Sequence, residues 1–284
     1  MKAVRALVRD CIDYAGLFPP AKLDLETTVR NYSNYRPGAD SWALGRLVLP
    51  AARLSEFVQR WPEFAAEWPV SVVLGPDYGA EISIALTSGV QVQMIECRPA
   101  RAEHVAEIRR RVPDNVKVFV EAPAACDLEE MLAVIESAGA CAKIRTGGVT
   151  ADAIPTVSDV AAFLTGCARR RICLKATAGL HHAVRGEHPL TYDMHSPQAT
   201  MHGFVNFLVA ALVAFQGGNR VDVQKALEDD SSAHFNPCDR GIQWDGLSLS
   251  VDVIEELRSR FVVGFGSCSF EEPMTELRAI GWLK

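Results

Sequence analysis

Residues 141–148 read CAKIRTGG, and residues 173–182 read CLKATAGLHH. Each stretch is an apolar run that reaches a lone lysine and then passes into Thr and Gly. Strands buried under helices are aliphatic on both faces, so Lys143 and Lys175 need a polar space to enter.

Outward from these stretches, short apolar segments recur at Asp10–Tyr14, Arg46–Pro50, Val70–Gly75, Val92–Cys97, Val116–Glu121 and Arg260–Gly266. With Cys141–Arg145 and Arg171–Thr177 they make eight. Stretches of helical period separate most of them. One helix is signed by a capping box of Asp127 and Glu130, by Leu128, Met131, Leu132 and Ile135 on one face, and by Gly139 at its end. Another starts near Ser269, which has the same spacing to Glu272. Strands joined by helices of this size run parallel.

Alternation along the strands separates an open sheet from a closed one. Lys117, Phe119 and Glu121 share a face opposite Val118 and Val120, and Cys173, Lys175 and Thr177 oppose Ile172, Leu174 and Ala176. One face is aliphatic, as a helix-covered exterior requires, and the other turns polar toward the C-terminal end. The pattern predicts an α/β chain folded as a (β/α)8 TIM barrel with its site at the C-terminal mouth.

The connection between strands seven and eight, Ala178 to Ser259, is far longer than any other. It holds His181, His182, His188, His195, His202 and His234, an apolar helix near Met201–Phe215, and the polar run EDDSSAHFNPCDRGIQWDG at 228–246. A long loop at a barrel mouth reads as a lid. Residues 1–284 are therefore read as a single barrel domain, with 183–259 as an insertion that contains helix seven.

The chain has 284 residues, 49% of them hydrophobic, a net charge of −6 and a pI near 5.7. That balance argues against nucleic acid or an anionic membrane as partner and for a small-molecule substrate. The run 203–215 is too short to span a bilayer and carries Asn206, and Arg5, Arg9 and Asp10 interrupt any signal segment. Eight cysteines lie without a CxxC pair, and Cys97, Cys141 and Cys173 read as small hydrophobes inside strands, which suits a cytoplasmic setting. Homo-oligomer formation stays open.

With the strands counted, the two lysines end strands six and seven, in Lys143-Ile-Arg-Thr-Gly147 and Lys175-Ala-Thr-Ala-Gly179. These runs resemble the class I aldolase barrels, in particular the deoxyribose-phosphate aldolase family. Segments 12–29 (IDYAGLFPPAKLDLETTV), 116–122 (VKVFVEA) and 262–269 (VVGFGSCS) stand where that family has its first, fifth and eighth strands. The resemblance implies a Schiff-base lysine at Lys143, an assisting lysine at Lys175, and anion contacts from Gly264, Gly266 and Ser267. It also implies lyase chemistry on a small carbonyl compound, carboxylated or phosphorylated, without an organic cofactor. Three departures stand out: strand four has no aspartate and leaves Glu96 or Gln93 as substitutes, the seventh turn is Ala-Gly-Leu-His-His, and Glu271 and Glu272 follow the last loop.

A lysine is a nucleophile only as the free amine. Lys175 and Arg145 near Lys143 would favour that form. The bland alternative is that both lysines form structural ion pairs with Glu121 and Glu96. Arg145 can grip a substrate carboxylate or pair with Glu121. Glu121, His181 and His182 are candidates for proton transfer, Asp13 with Tyr14 is a further pair, and Thr146 and Thr177 are candidate substrate contacts. No recognised metal-ligand spacing occurs, so no metal site is assigned. A metal-dependent hydrolase or lyase using His181, His182 and acidic strand ends, and a barrel that only binds a metabolite or partner, are the competing readings.

Overall fold

The computed structural model describes residues 1–99, 101–122 and 127–284; Cys126 lies outside them. Its main sheet is a closed parallel barrel alternating with helices. The strands in chain order are β1 (Ile12–Tyr14), β2 (Leu44–Pro50), β3 (Pro69–Val73), β4 (Gln91–Cys97), β5 (Lys117–Glu121), β6 (Cys141–Arg145), β7 (Leu174–Thr177) and, after the insertion, Val262–Ser267. The last strand pairs with both β7 and β1 and closes the ring. This is the expected (β/α)8 barrel.

Boundaries moved where a helix claimed the residues. Strand seven begins at Leu174 rather than Arg171, because Arg171 ends the helix Val157–Arg170 in the left-handed conformation at φ 56. The eighth begins at Val262, since the helix Val251–Arg260 runs up to it. Asp127 accepts from Glu130 N at 2.9 Å at the start of the helix Leu128–Ser137, as its sequence signature predicts.

The barrel interior is layered, as alternating side chains from parallel strands require. Toward the N-terminal end, Arg46 Nε donates to Gln93 Oε1 at 3.1 Å. Met94, Phe119 and Cys141, with Cys173 and Val263 against them, form an apolar plug above it. Glu96, Glu121, Lys143 and Lys175, each two residues further along its chain than a plug residue, lie beyond the plug toward the mouth. The register sets Cys141 opposite Cys173, with Cα atoms 4.9 Å apart, and the two are joined by a disulfide. The sequence reading had both as free hydrophobes; period alone cannot say which inward residues on neighbouring strands face each other.

The insertion is not one lid. Two antiparallel strands, β8 (Gly186–Pro189) and β9 (Gln198–Met201), form a hairpin beside the mouth. The helix Phe204–Phe215 is buried from Phe204 to Ala214 and packs with the helices Val157–Arg170 and Arg220–Glu228 as part of the barrel's outer ring. Its one polar residue, Asn206, ties the segment together: Nδ2 donates to Ala226 O and Asp229 O, and Oδ1 accepts from Arg185 N. A small sheet of β10 (Asn236–Pro237), β11 (Gly241–Trp244) and β12 (Leu247–Ser250) packs near the N-terminal helix Lys2–Val8. With these numbered, the last barrel strand is β13.

Only the hairpin reaches toward the mouth, through Tyr192, whose hydroxyl lies 3.6 Å from Cys268 Sγ. Replacing residues 191–196 by an Asn-Gly turn is therefore expected to leave the melting temperature within about 2 °C, as for other surface changes. The same change should raise the rate at which iodoacetamide labels Cys268 several-fold. Unchanged labelling would show that the hairpin does not shield the thiol.

Candidate functional site

Why the two lysine runs look alike is answered by their backbones. Gly147 and Gly179 lie against each other so closely that a Cβ built on Gly147 would sit 2.8 Å from Gly179 Cα, and Gly179 has φ +77. Only glycine allows both the close approach and the left-handed backbone. Thr146 Oγ1 donates to Ala178 O at 2.5 Å, which locks the loop after β6 to the loop after β7. Thr146 is 1% exposed and belongs to this clamp rather than to a substrate contact.

The clamp aligns Lys143 with Lys175 in register. Between them stands Glu96, from β4. Its Oε2 lies 2.9 Å from Lys143 Nζ and its Oε1 lies 2.6 Å from Lys175 Nζ, while Ser71 Oγ donates to Oε1 at 2.7 Å. Lys143 also pairs with Glu121 Oε2 at 3.1 Å, and Glu121 Oε1 accepts from Arg145 Nε at 3.2 Å. At the other end Lys175 pairs with Asp13 Oδ2 at 2.6 Å, and Asp13 Oδ1 accepts from Arg46 N at 2.8 Å. Read across the barrel, the charges alternate: Arg145, Glu121, Lys143, Glu96, Lys175, Asp13.

This arrangement corrects the expectation that cations crowd Lys143. A carboxylate separates it from each neighbouring cation, and the ion pairs to Glu121 and Glu96 are present. Burial opposes charge on Glu96, but Lys143 and Lys175 outweigh it and hold the carboxyl well below its usual range. Glu121 is shifted down in the same way, against burial, by Lys143 and Arg145. Burial also works against the Lys175 ammonium, yet Asp13 and Glu96 raise its pKa. Glu96, not Gln93, is the strand-four residue that enters the site.

The two lysines differ in access. A cavity of about 440 Å³ is bordered by Lys143, Glu96, Arg145, Thr177, His181, Gly266 and Cys268, with Val48, Val73 and Phe18 among its apolar walls. A second, of about 560 Å³, lies on the other side of Lys143 and Arg145 and takes in Glu121 and Arg98. Lys175 is 1% exposed and borders neither, and Asp13 is fully buried with it. Tyr14 turns away, its hydroxyl accepting from Asn31 Nδ2.

Other expected contacts resolve differently. A Cβ on Gly264 would come 2.5 Å from Cys11 O, so this glycine permits strand packing rather than anion binding. Ser267 is 2% exposed; its Oγ lies 3.4 Å from His181 Nδ1 and accepts from Ser269 N. His182 points away from the lysines: its Nδ1 lies 3.2 Å from Glu276 Oε1, and its ring stacks on His188. Among the described residues no group of three or more His, Cys, Asp or Glu is arranged to hold a metal ion.

His181 does border the main cavity. Its Nδ1 lies 2.9 Å from Glu272 Oε2, and its Nε2 lies 4.0 Å from Cys268 Sγ. Burial disfavours its charged form, but Cys268 and Glu272 outweigh it and push the pKa up to about 9. Cys268, Ser71 and Tyr192 were missed in the sequence. Cys268 follows the last inward residues of strand eight, and that position was its only signal.

A folded-state pKa above the ordinary 6.5 means that the stability His181 contributes is complete below pH 6.5 and is lost as pH rises to about 9. The loss is expected to be on the order of 3 kcal/mol, read as urea unfolding free energy between pH 6 and 10. Glu272→Gln should flatten that slope, and an equally steep slope in the variant would refute the pairing.

No family model matches the chain, and no curated protein is similar enough to it to count as a match. Fold and site together define a (β/α)8 barrel with an alternating lysine–carboxylate cluster at its mouth. No helix among the described residues is long and apolar enough to cross a membrane.

Proposed function

We propose that this barrel is an aldolase-type lyase acting on a small carbonyl compound through a Schiff base on Lys143. The observation that carries the reading is the difference in access: Lys143 borders the cavity, whereas Lys175 is 1% exposed and does not. In this mechanism Lys143 gives up a proton to water in the cavity it borders, and its free amine attacks the carbonyl carbon. Loss of water then leaves an iminium that accepts the electrons of the breaking carbon–carbon bond. Lys175 keeps Glu96 charged and in place. Arg145 borders the same cavity and suits a substrate carboxylate. A phosphate at the last loop is less well served, since Glu271 and Glu272 occupy the first turn of the helix that follows.

A cytoplasmic setting belongs to this reading. Cys11, Cys97, Cys167, Cys238 and Cys268 are free thiols, and the bridge joins residues that strand register already places side by side. The test is borohydride reduction with a panel of aldehydes and 2-oxo acids, followed by mass mapping. An adduct on Lys143 supports the proposal, and none with any carbonyl compound overturns it.

A further inference from the structure

The lysine chemistry leaves the opposite wall of the cavity unused. There, Cys268 follows the end of β13 and His181 follows the end of β7, so barrel closure brings together residues 87 apart in sequence. The helix Glu271–Ala279 starts just after Cys268 and supplies Glu272 from its first turn. A carboxylate only accepts hydrogen bonds, so in neutral His181 the one ring proton belongs on Nδ1, toward Glu272 at 2.9 Å. That leaves Nε2 as the basic nitrogen, 4.0 Å from Cys268 Sγ. His181 is 7% exposed and Cys268 5%, yet both border the cavity. Nucleophile, base and orienting carboxylate thus stand in the order that defines an activated thiol.

We propose that Cys268, His181 and Glu272 form a second reactive centre in which the Cys268 thiol accepts the acyl group of a small ester or thioester and passes it to water. In the neutral form of His181, whose share grows as pH rises toward 9, Nε2 takes the thiol proton as Sγ forms a bond to the acyl carbon. The bond from that carbon to the leaving oxygen or sulfur breaks, and the leaving group takes the proton from His181. A water molecule then attacks the acyl-cysteine carbon while His181 removes its proton. The carbon–sulfur bond breaks, and Sγ is reprotonated. Nothing is oxidised or reduced. The cavity volume of about 440 Å³ and the walls of Val48, Val73 and Phe18 suit a short apolar acyl chain. Glu272 is a positioning residue in this scheme.

The full-length protein is treated with p-nitrophenyl acetate, and the acetyl group is located by intact mass and peptide mapping. The expected result is a burst of p-nitrophenol with acetyl on Cys268, which requires no variant. Cys268→Ser and His181→Asn should each lower steady-state release at least ~100-fold, within the range of losses known for members of such triads. Glu272→Gln should lower kcat about 10-fold with KM unchanged. Acetyl on Lys143, on the exposed Cys238 or nowhere would overturn the proposal, as would full activity in Cys268→Ser. Because the Schiff-base adduct maps to Lys143 and the acetyl group to Cys268, the two readings fail separately.

Discussion

Lys143→Met is expected to abolish the borohydride-trapped adduct completely, while Lys175 remains unmodified in the same protein. The amine that borders the cavity is gone, and the remaining one is 1% exposed beneath Glu96, clasped at 2.6 Å on both sides. For Lys175 to react it would have to leave two carboxylates, lose its proton against a raised pKa, and reach past Glu96. Methionine also breaks the ion pairs of Lys143 with Glu96 and Glu121, so Lys143→Arg serves as the companion variant. Arginine keeps the positive charge between the carboxylates but stays protonated and forms no Schiff base. Both variants should therefore be blank in mass mapping. An adduct that moves to Lys175 in Lys143→Arg would reverse the assignment.

Lys175→Met should be the most destabilising single change at the site, costing about 3–5 kcal/mol, the usual effect of removing one partner from a buried ion pair. Methionine fills much of the lysine stem, so little of the loss comes from a cavity. It comes from Asp13 and Glu96, 0% and 2% exposed, which lose the cation between them. In the wild type, Glu96 has a depressed pKa and so contributes stability that is present above its ordinary 4.5 and is lost as pH falls. The gap between wild type and variant in urea unfolding should thus be wide at pH 7 and narrow below pH 4.5. Adding Glu96→Gln to the variant should recover part of the loss, since one stranded charge is then removed. A gap that does not depend on pH would mean the cost lies in packing rather than charge.

The closed barrel was legible because period-two alternation shows directly in β5 and β7: Val118 and Val120 outward, Lys117, Phe119 and Glu121 inward. The inward direction of Lys143 and Lys175 followed from the same count. Which charge would meet which was not legible. Lys175 finds Asp13 across 162 residues and Glu96 across 79, and these meetings depend on the stagger between strands, which alternation leaves open. Strand adjacency put Lys175 beside Lys143, but it could not choose between crowded cations and the alternative of ion pairs with Glu121 and Glu96, which are the contacts that form.

From residue order alone, then, come the strand count, the face each side chain takes, and helix starts at Asp127 and near Ser269, whose hydroxyl accepts from Glu272 N. All of these are set by local sterics and by periods of two to four residues, which the chain carries wherever it folds. Tertiary structure alone decided the pairing of Cys141 with Cys173, the division of the insertion into hairpin, barrel helix and small sheet, and the meeting of Cys268, His181 and Glu272. The first depends on the register of β6 against β7 and the last on closing β13 against β7, long-range pairings that fix contacts no local period encodes.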